Sequence, residues 1–120
     1  MLSLYEQIQV YLNMDEEISF QEFNDYYRRV LDELAKNHES FTEDDIWKHL
    51  FVVENVLANA ESRAREKKGP EAKKYKKMAD RLRLWAENLA LRLGKLGYTD
   101  EDIRERFSEM LDEGPPVVQD

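Results

Sequence analysis

Apolar residues recur at intervals of three and four along most of this chain, the spacing that lines one face of an α-helix rather than one side of a strand. Start signals divide the pattern into five segments. Ser3 followed by Glu6 predicts a capping box, in which hydroxyl and carboxylate each satisfy an unpaired backbone N–H, and a first helix from about Leu4 to Asn13. Ser19 with Glu22 repeats the device and opens a second helix, with the stripe Phe20, Phe23, Tyr27, Val30 and Leu34, ending near Asn37 and His38. Thr42 with Asp45, and Glu43 and Asp44 in the favourable first turn, opens a third that runs to Lys68. Gly69 suits the left-handed position past a helix end and Pro70 the first position of the next, so a fourth helix runs from Pro70 to about Leu96 and stops at Gly97. Thr99 caps a fifth, with the stripe Ile103, Phe107, Met110 and Leu111, and Gly114-Pro115-Pro116 ends it.

The third and fourth segments dominate. Ile46, Leu50, Val53, Leu57, Ala60 and Ala64 form one seam, and Tyr75, Met78, Leu82, Trp85, Leu89, Leu93 and Leu96 the other. Each helix is about 40 Å long at 1.5 Å per residue, and the tight turn between them forces antiparallel packing. The predicted fold is all-α: a bundle of about five helices dominated by a long antiparallel helical hairpin, about 43–68 and 70–96. The shorter helices cover the wider apolar face that includes Trp47, Phe51, Ala79 and Ala86. Between Glu61 and Lys77 the only apolar residues are Ala64, Ala72 and Tyr75. A hairpin arm is therefore expected to project around 61–77 from a single helical domain, 1–113, with 114–120 as a C-terminal tail. No internal repeat is present.

Charge changes this picture by adding polarity. Arg63 to Arg83 holds ten basic and three acidic residues, a formal +7 within a chain of net charge −8, so the remainder carries −15. Such segregation bears on partners and solubility, not on fold. The chain has no cysteine, which excludes disulfides and thiolate chemistry and fits a reducing cytoplasmic setting. The N-terminal residues lack the pattern of a secretory signal, and the longest apolar run, Leu50 to Val53, is far short of a membrane span.

Cations closing the third helix, Arg63, Arg65, Lys67 and Lys68, are accounted for by the macrodipole. Lys73, Lys74, Lys76 and Lys77 are not, because they open the fourth helix, where the dipole disfavours positive charge. Lys73, Lys77 and Arg81 also succeed one another at steps of four, a like-charge ladder costing roughly 0.2 to 0.5 kcal/mol per contact. The ladder is expected on the outward face, joined by Arg92 and Lys95, with local pairs of Glu61 with Arg65 and Lys76 with Asp80. Lys73, Lys74, Lys77 and Arg81 are thus the candidate partner- or phosphate-binding residues. Three readings follow for them: a plain solvated face, docking on something acidic, either a partner protein or the acidic base of a second copy, and binding to a phosphate backbone. Leu84 and Leu91, seven apart on the outward side, are either covered by the first or fifth helix or form a dimer contact.

Other chemistry is thinly represented. No Glu-x-x-His pair accompanies His38 and His49, so no metal site is assigned; no glycine-framed serine or glycine-rich loop is present, and no cofactor is implied. Asn55 and Asn59 lie one turn apart, either at the surface or toward a polar cleft, and Glu54 becomes a candidate site if buried. The expected function is a non-enzymatic protein-interaction module, adaptor or regulatory, with a protein partner or a homodimer and no membrane. Nucleic-acid association through the basic segment is the alternative, and a bundle enzyme or metal protein stands behind both.

Overall fold

The computed structural model describes residues 1–116. Five α-helices follow one another: α1 (Leu4–Leu12), α2 (Phe20–Asn37), α3 (Glu43–Glu66), α4 (Gly69–Lys95) and α5 (Asp100–Glu113), with one 3-10 turn, His38–Ser40, before α3. The fold is an all-α bundle built on the α3–α4 hairpin. Of the tail, only Gly114, Pro115 and Pro116 are described, and Val117–Asp120 lie outside the described residues.

Helix ends follow local chemistry. Ser3 with Glu6, Thr42 with Asp45, and Thr99 with Asp102 each form the reciprocal capping box. The backbone N–H groups that these boxes supply hold the carboxyls of Glu6 and Asp45 below their ordinary values. At Ser19 only half the expected device forms: its hydroxyl accepts from the Glu22 N–H at 3.1 Å, with no return bond. Glu22 instead faces Tyr11, whose pKa is raised by burial and by that carboxylate. Lys67 and Lys68 run extended between the long helices, and Gly69 turns the chain with φ at +66°.

The hairpin seam runs through Leu50, Val53, Leu57 and Ala60 of α3 and Leu82, Ala86, Leu89 and Leu93 of α4. Ala79 and Ala86 take core places where the sequence pattern offered Trp85 and Leu96. Small residues bring the two backbones close, while Trp85 slides to the flank beside the His38 ring, centroids 5.2 Å apart, and Leu96 stays exposed. α1 lies on α3, between α2 and α5. Tyr26 donates to the Leu4 carbonyl at 2.6 Å, Gln9 donates to the Met110 carbonyl at 2.7 Å, and Phe107 meets Phe51 edge-on. Each such contact places an aromatic edge or an amide where area burial alone would not choose an orientation.

The arm expected over 61–77 does not project as a whole. Tyr75 and Arg63 are only 1% and 4% exposed, because the start of α2 packs on Tyr75 and the segment before it folds back over Arg63. Phe20 and Phe23 meet the Tyr75 ring edge-on, at 5.5 and 5.6 Å. The apolar contact that the turn end lacks in its own sequence is supplied from α2. Only the stretch from Arg65 to Glu71 is continuously exposed.

Candidate interaction face on the fourth helix

α4 packs against α3 on one side and α2 on its flank, and its remaining side is uncovered by the described residues. Lys73, Lys77, Leu84, Leu91 and Lys95 are all exposed and fall on one line along it, since steps of four and seven return to nearly the same angle on a helix. Lys74 and Arg81, also seven apart, are exposed on the flank toward α2. The Lys74 ammonium lies 5.7 Å from the centre of the Phe20 ring. Arg81 faces Tyr27, whose pKa is raised by burial and pulled back by that guanidinium. The sequence-predicted ladder therefore divides: Lys73 and Lys77 stand on the outward line, and Lys74 and Arg81 edge the α2–α4 groove.

None of Lys73, Lys74, Lys77 and Arg81 forms an ion pair among the described residues. The pairs expected to moderate the segment are replaced by others. Arg83 takes both acids, Asp80 at 3.0 Å and Glu61 at 3.7 Å, so Arg65 and Lys76 are left without them. Arg92 also leaves the expected outward stripe. It turns to the end of α2 and donates to the His38 carbonyl at 2.8 Å.

Leu84 and Leu91 are 67% and 61% exposed, so neither α1 nor α5 covers them. Both short helices are held on the other side of α3 by the Gln9 and Phe107 contacts. Beside Leu84, a shallow groove between α2 and α4 is lined by Leu31, Ala35, Arg81, Trp85 and Asn88. Beside the end of this line, one residue before Lys95, Gly94 sits in ordinary helical backbone, with nothing within 4 Å of where a Cβ would be.

At the base of the hairpin the charge reverses. Tyr98, just beyond α4, donates to Glu43 at the start of α3 at 3.2 Å. The cleft around it is lined by Glu43, Asp44, Asp102, Glu105 and Glu109, with Arg106 as its only basic residue. Antiparallel packing thus gives the hairpin a basic turn end and an acidic base, the latter formed by the acid-rich start of α3 and the acids of α5.

The remaining candidates are occupied with structure. His49 stacks on Phe41 at 4.1 Å, and its Nδ1 is 2.6 Å from the Asp45 carbonyl. Glu54 is exposed on α3, its carboxyl raised by partial desolvation and by Glu61. Asn55 donates to the Phe51 carbonyl at 2.8 Å, and Asn59 accepts from Arg63 Nε at 2.7 Å. Among the described residues no group of three His, Asp or Glu side chains is placed to hold a metal ion. No helix among them is long and apolar enough to cross a membrane.

Arg63 was assigned above to the helix dipole, and the structure gives it a different task. Besides Asn59 it reaches the Tyr75 hydroxyl at 3.0 Å, the Ile18 carbonyl at 2.8 Å and the Glu17 carboxylate at 3.1 Å. One signal was available in the sequence: Arg63 follows the apolar Val56 by seven residues and so lies on the inward side of α3.

Comparison of the chain with protein-family models, with curated proteins and with solved structures finds no match.

Proposed function

We propose that this chain is a protein-interaction module of adaptor or regulatory type, cytoplasmic, that acts by binding through the uncovered side of α4 and the basic turn end. The observation that carries this reading is the set Lys73, Lys74, Lys77 and Arg81, exposed and without an ion pair among the described residues, beside two exposed leucines on one helix. Charged residues around an apolar patch are the composition of a contact surface, with the apolar part contributing affinity and the charges steering approach.

Nucleic-acid association is the second reading, favoured by the additional exposed cations Arg65, Lys67 and Lys68 at the turn. Against it weigh the net charge of −8 and the acidic base, which repel a polyanion, and the absence of a stacking aromatic. Tyr75, the sole aromatic of the segment, is buried.

The two readings separate in one experiment. The chain is used to capture partners from its native cell, with and without nuclease, beside the variant Lys73→Glu, Lys77→Glu, Arg81→Glu. A protein retained after nuclease and lost with the variant is the expected result. Loss of all capture on nuclease treatment, with the wild-type chain shifting an oligonucleotide at low salt, would overturn it in favour of nucleic acid.

A further inference from the structure

The uncovered side of α4 is complementary to itself. Leu84 and Leu91 are the apolar centre of its outward line. A second α4 laid antiparallel about a two-fold axis midway between them sets Leu84 of each copy beside Leu91 of the other. The same operation carries the N-terminal half of each α4, with Lys73 and Lys77, toward the partner's hairpin base. Just past that end of α4 the partner's α5 begins, with Asp100, Glu101 and Asp102 exposed in its first turn. A parallel pairing would instead bring the two basic ends together and the two acidic bases together.

Two further features fit close approach in this register. Gly94 presents bare backbone beside the Leu84–Leu91 line, with open space around it. Asp80 of one copy comes level with Lys95 of the other, counting equal steps either side of the axis. One contact opposes the arrangement: Glu87 lies next to the axis and meets its own mate.

We infer that the partner of this face is a second copy of the chain, bound as an antiparallel α4–α4 homodimer with each basic turn end at the other's acidic base. The dimer rests on the reading of the chain as an interaction module and names one partner for it. Leucines supply the contact, and the opposed charge poles select the antiparallel register over the parallel one.

The chain's lack of cysteine makes the test direct. Leu84→Cys and Leu91→Cys chains are prepared singly and mixed under mild oxidation. A disulfide between position 84 of one chain and 91 of the other is expected to form at least about tenfold faster than either like pair, whose Cα atoms lie roughly 10 Å apart along the helix axis. Wild-type sedimentation is expected to show a dimer that weakens several-fold from low to high salt, and Leu84→Lys a monomer. Faster crosslinking of Leu84→Cys with itself overturns the register. A wild-type chain still monomeric at about 100 μM overturns the dimer. The nuclease-resistant capture described above decides the module reading separately, because a monomer that retains such a partner leaves that reading standing.

Discussion

Arg63 and Tyr75 lock the turn end of the hairpin: the Arg63 Nη1 donates to the Tyr75 hydroxyl at 3.0 Å, and both side chains are almost fully buried. The guanidinium lies 4.6 Å from the centre of the Phe23 ring, so one cation joins α2, α3, α4 and the segment before α2. Removing it strands the Ile18 carbonyl and the Tyr75 hydroxyl at once. Arg63→Met is expected to destabilise the fold by about 3 kcal/mol, and Tyr75→Phe by about 1 kcal/mol. Urea unfolding of both single variants and the double variant measures their coupling; strict additivity would mean that the two do not act together.

Two glycines of α4 are expected to respond with opposite signs. Gly69 has φ at +66° and open space at its Cβ position, so Gly69→Ala strains only the backbone and costs about 1 kcal/mol. Gly94 has the same open space in helical backbone, and Gly94→Ala is expected to stabilise the fold by about 0.5 kcal/mol. Thermal unfolding at concentrations low enough to keep the chain monomeric gives both signs. A stabilising Gly69→Ala would contradict the turn geometry.

Gln9 ties α1 to α5 from a position only 1% exposed, donating to Met110 and to the Tyr5 hydroxyl while its own Oε1 has no partner. Gln9→Glu sets a carboxylate against the Met110 carbonyl and is expected to cost about 3 kcal/mol. Gln9→Met removes the donor together with the orphaned acceptor and is expected to cost less than about 1.5 kcal/mol. Comparable losses from both would show that the amide, not the absence of charge, sustains the joint.

Alkaline pH should loosen the bundle at α1. Burial, then the hydrogen bond to Glu113, pushes Tyr5 up to about 12, and burial also raises Tyr26. Both folded values lie above the ordinary value of 10.0. Their contribution is therefore fully present below about pH 10 and is lost as pH rises through the folded values. Tyr5→Phe is expected to flatten the fall in urea midpoint between about pH 10 and 12. An unchanged slope would place the titrating group elsewhere.

The helices and their order were legible because their determinants are local. Ser3, Thr42 and Thr99 each sit three residues before an acid that completes the cap, and the Gly69-Pro70 pair sets a turn by its own dihedral preferences. The outward placement of Lys73 and Lys77 was legible for the same reason, from angle on a wheel. The ion pairs were not. Glu61 and Asp80 each had several basic residues within reach; hairpin register brought Glu61 to Arg83, which also takes Asp80 three residues before it on α4.

By itself, then, the sequence determined five helices, four of them opened by a side-chain cap, an antiparallel hairpin, and a basic segment on an acidic chain, since these follow from dihedral preference, periodicity and composition. Tertiary structure alone decided that Phe20 and Phe23 cover the turn end, that Arg63 is a core residue, and that no helix among the described residues reaches Leu84 and Leu91. Those outcomes depend on contacts between distant segments, such as Arg63 with the Ile18 carbonyl 45 residues away. Such pairings are chosen by the combined packing of all the helices rather than by any one stretch of chain.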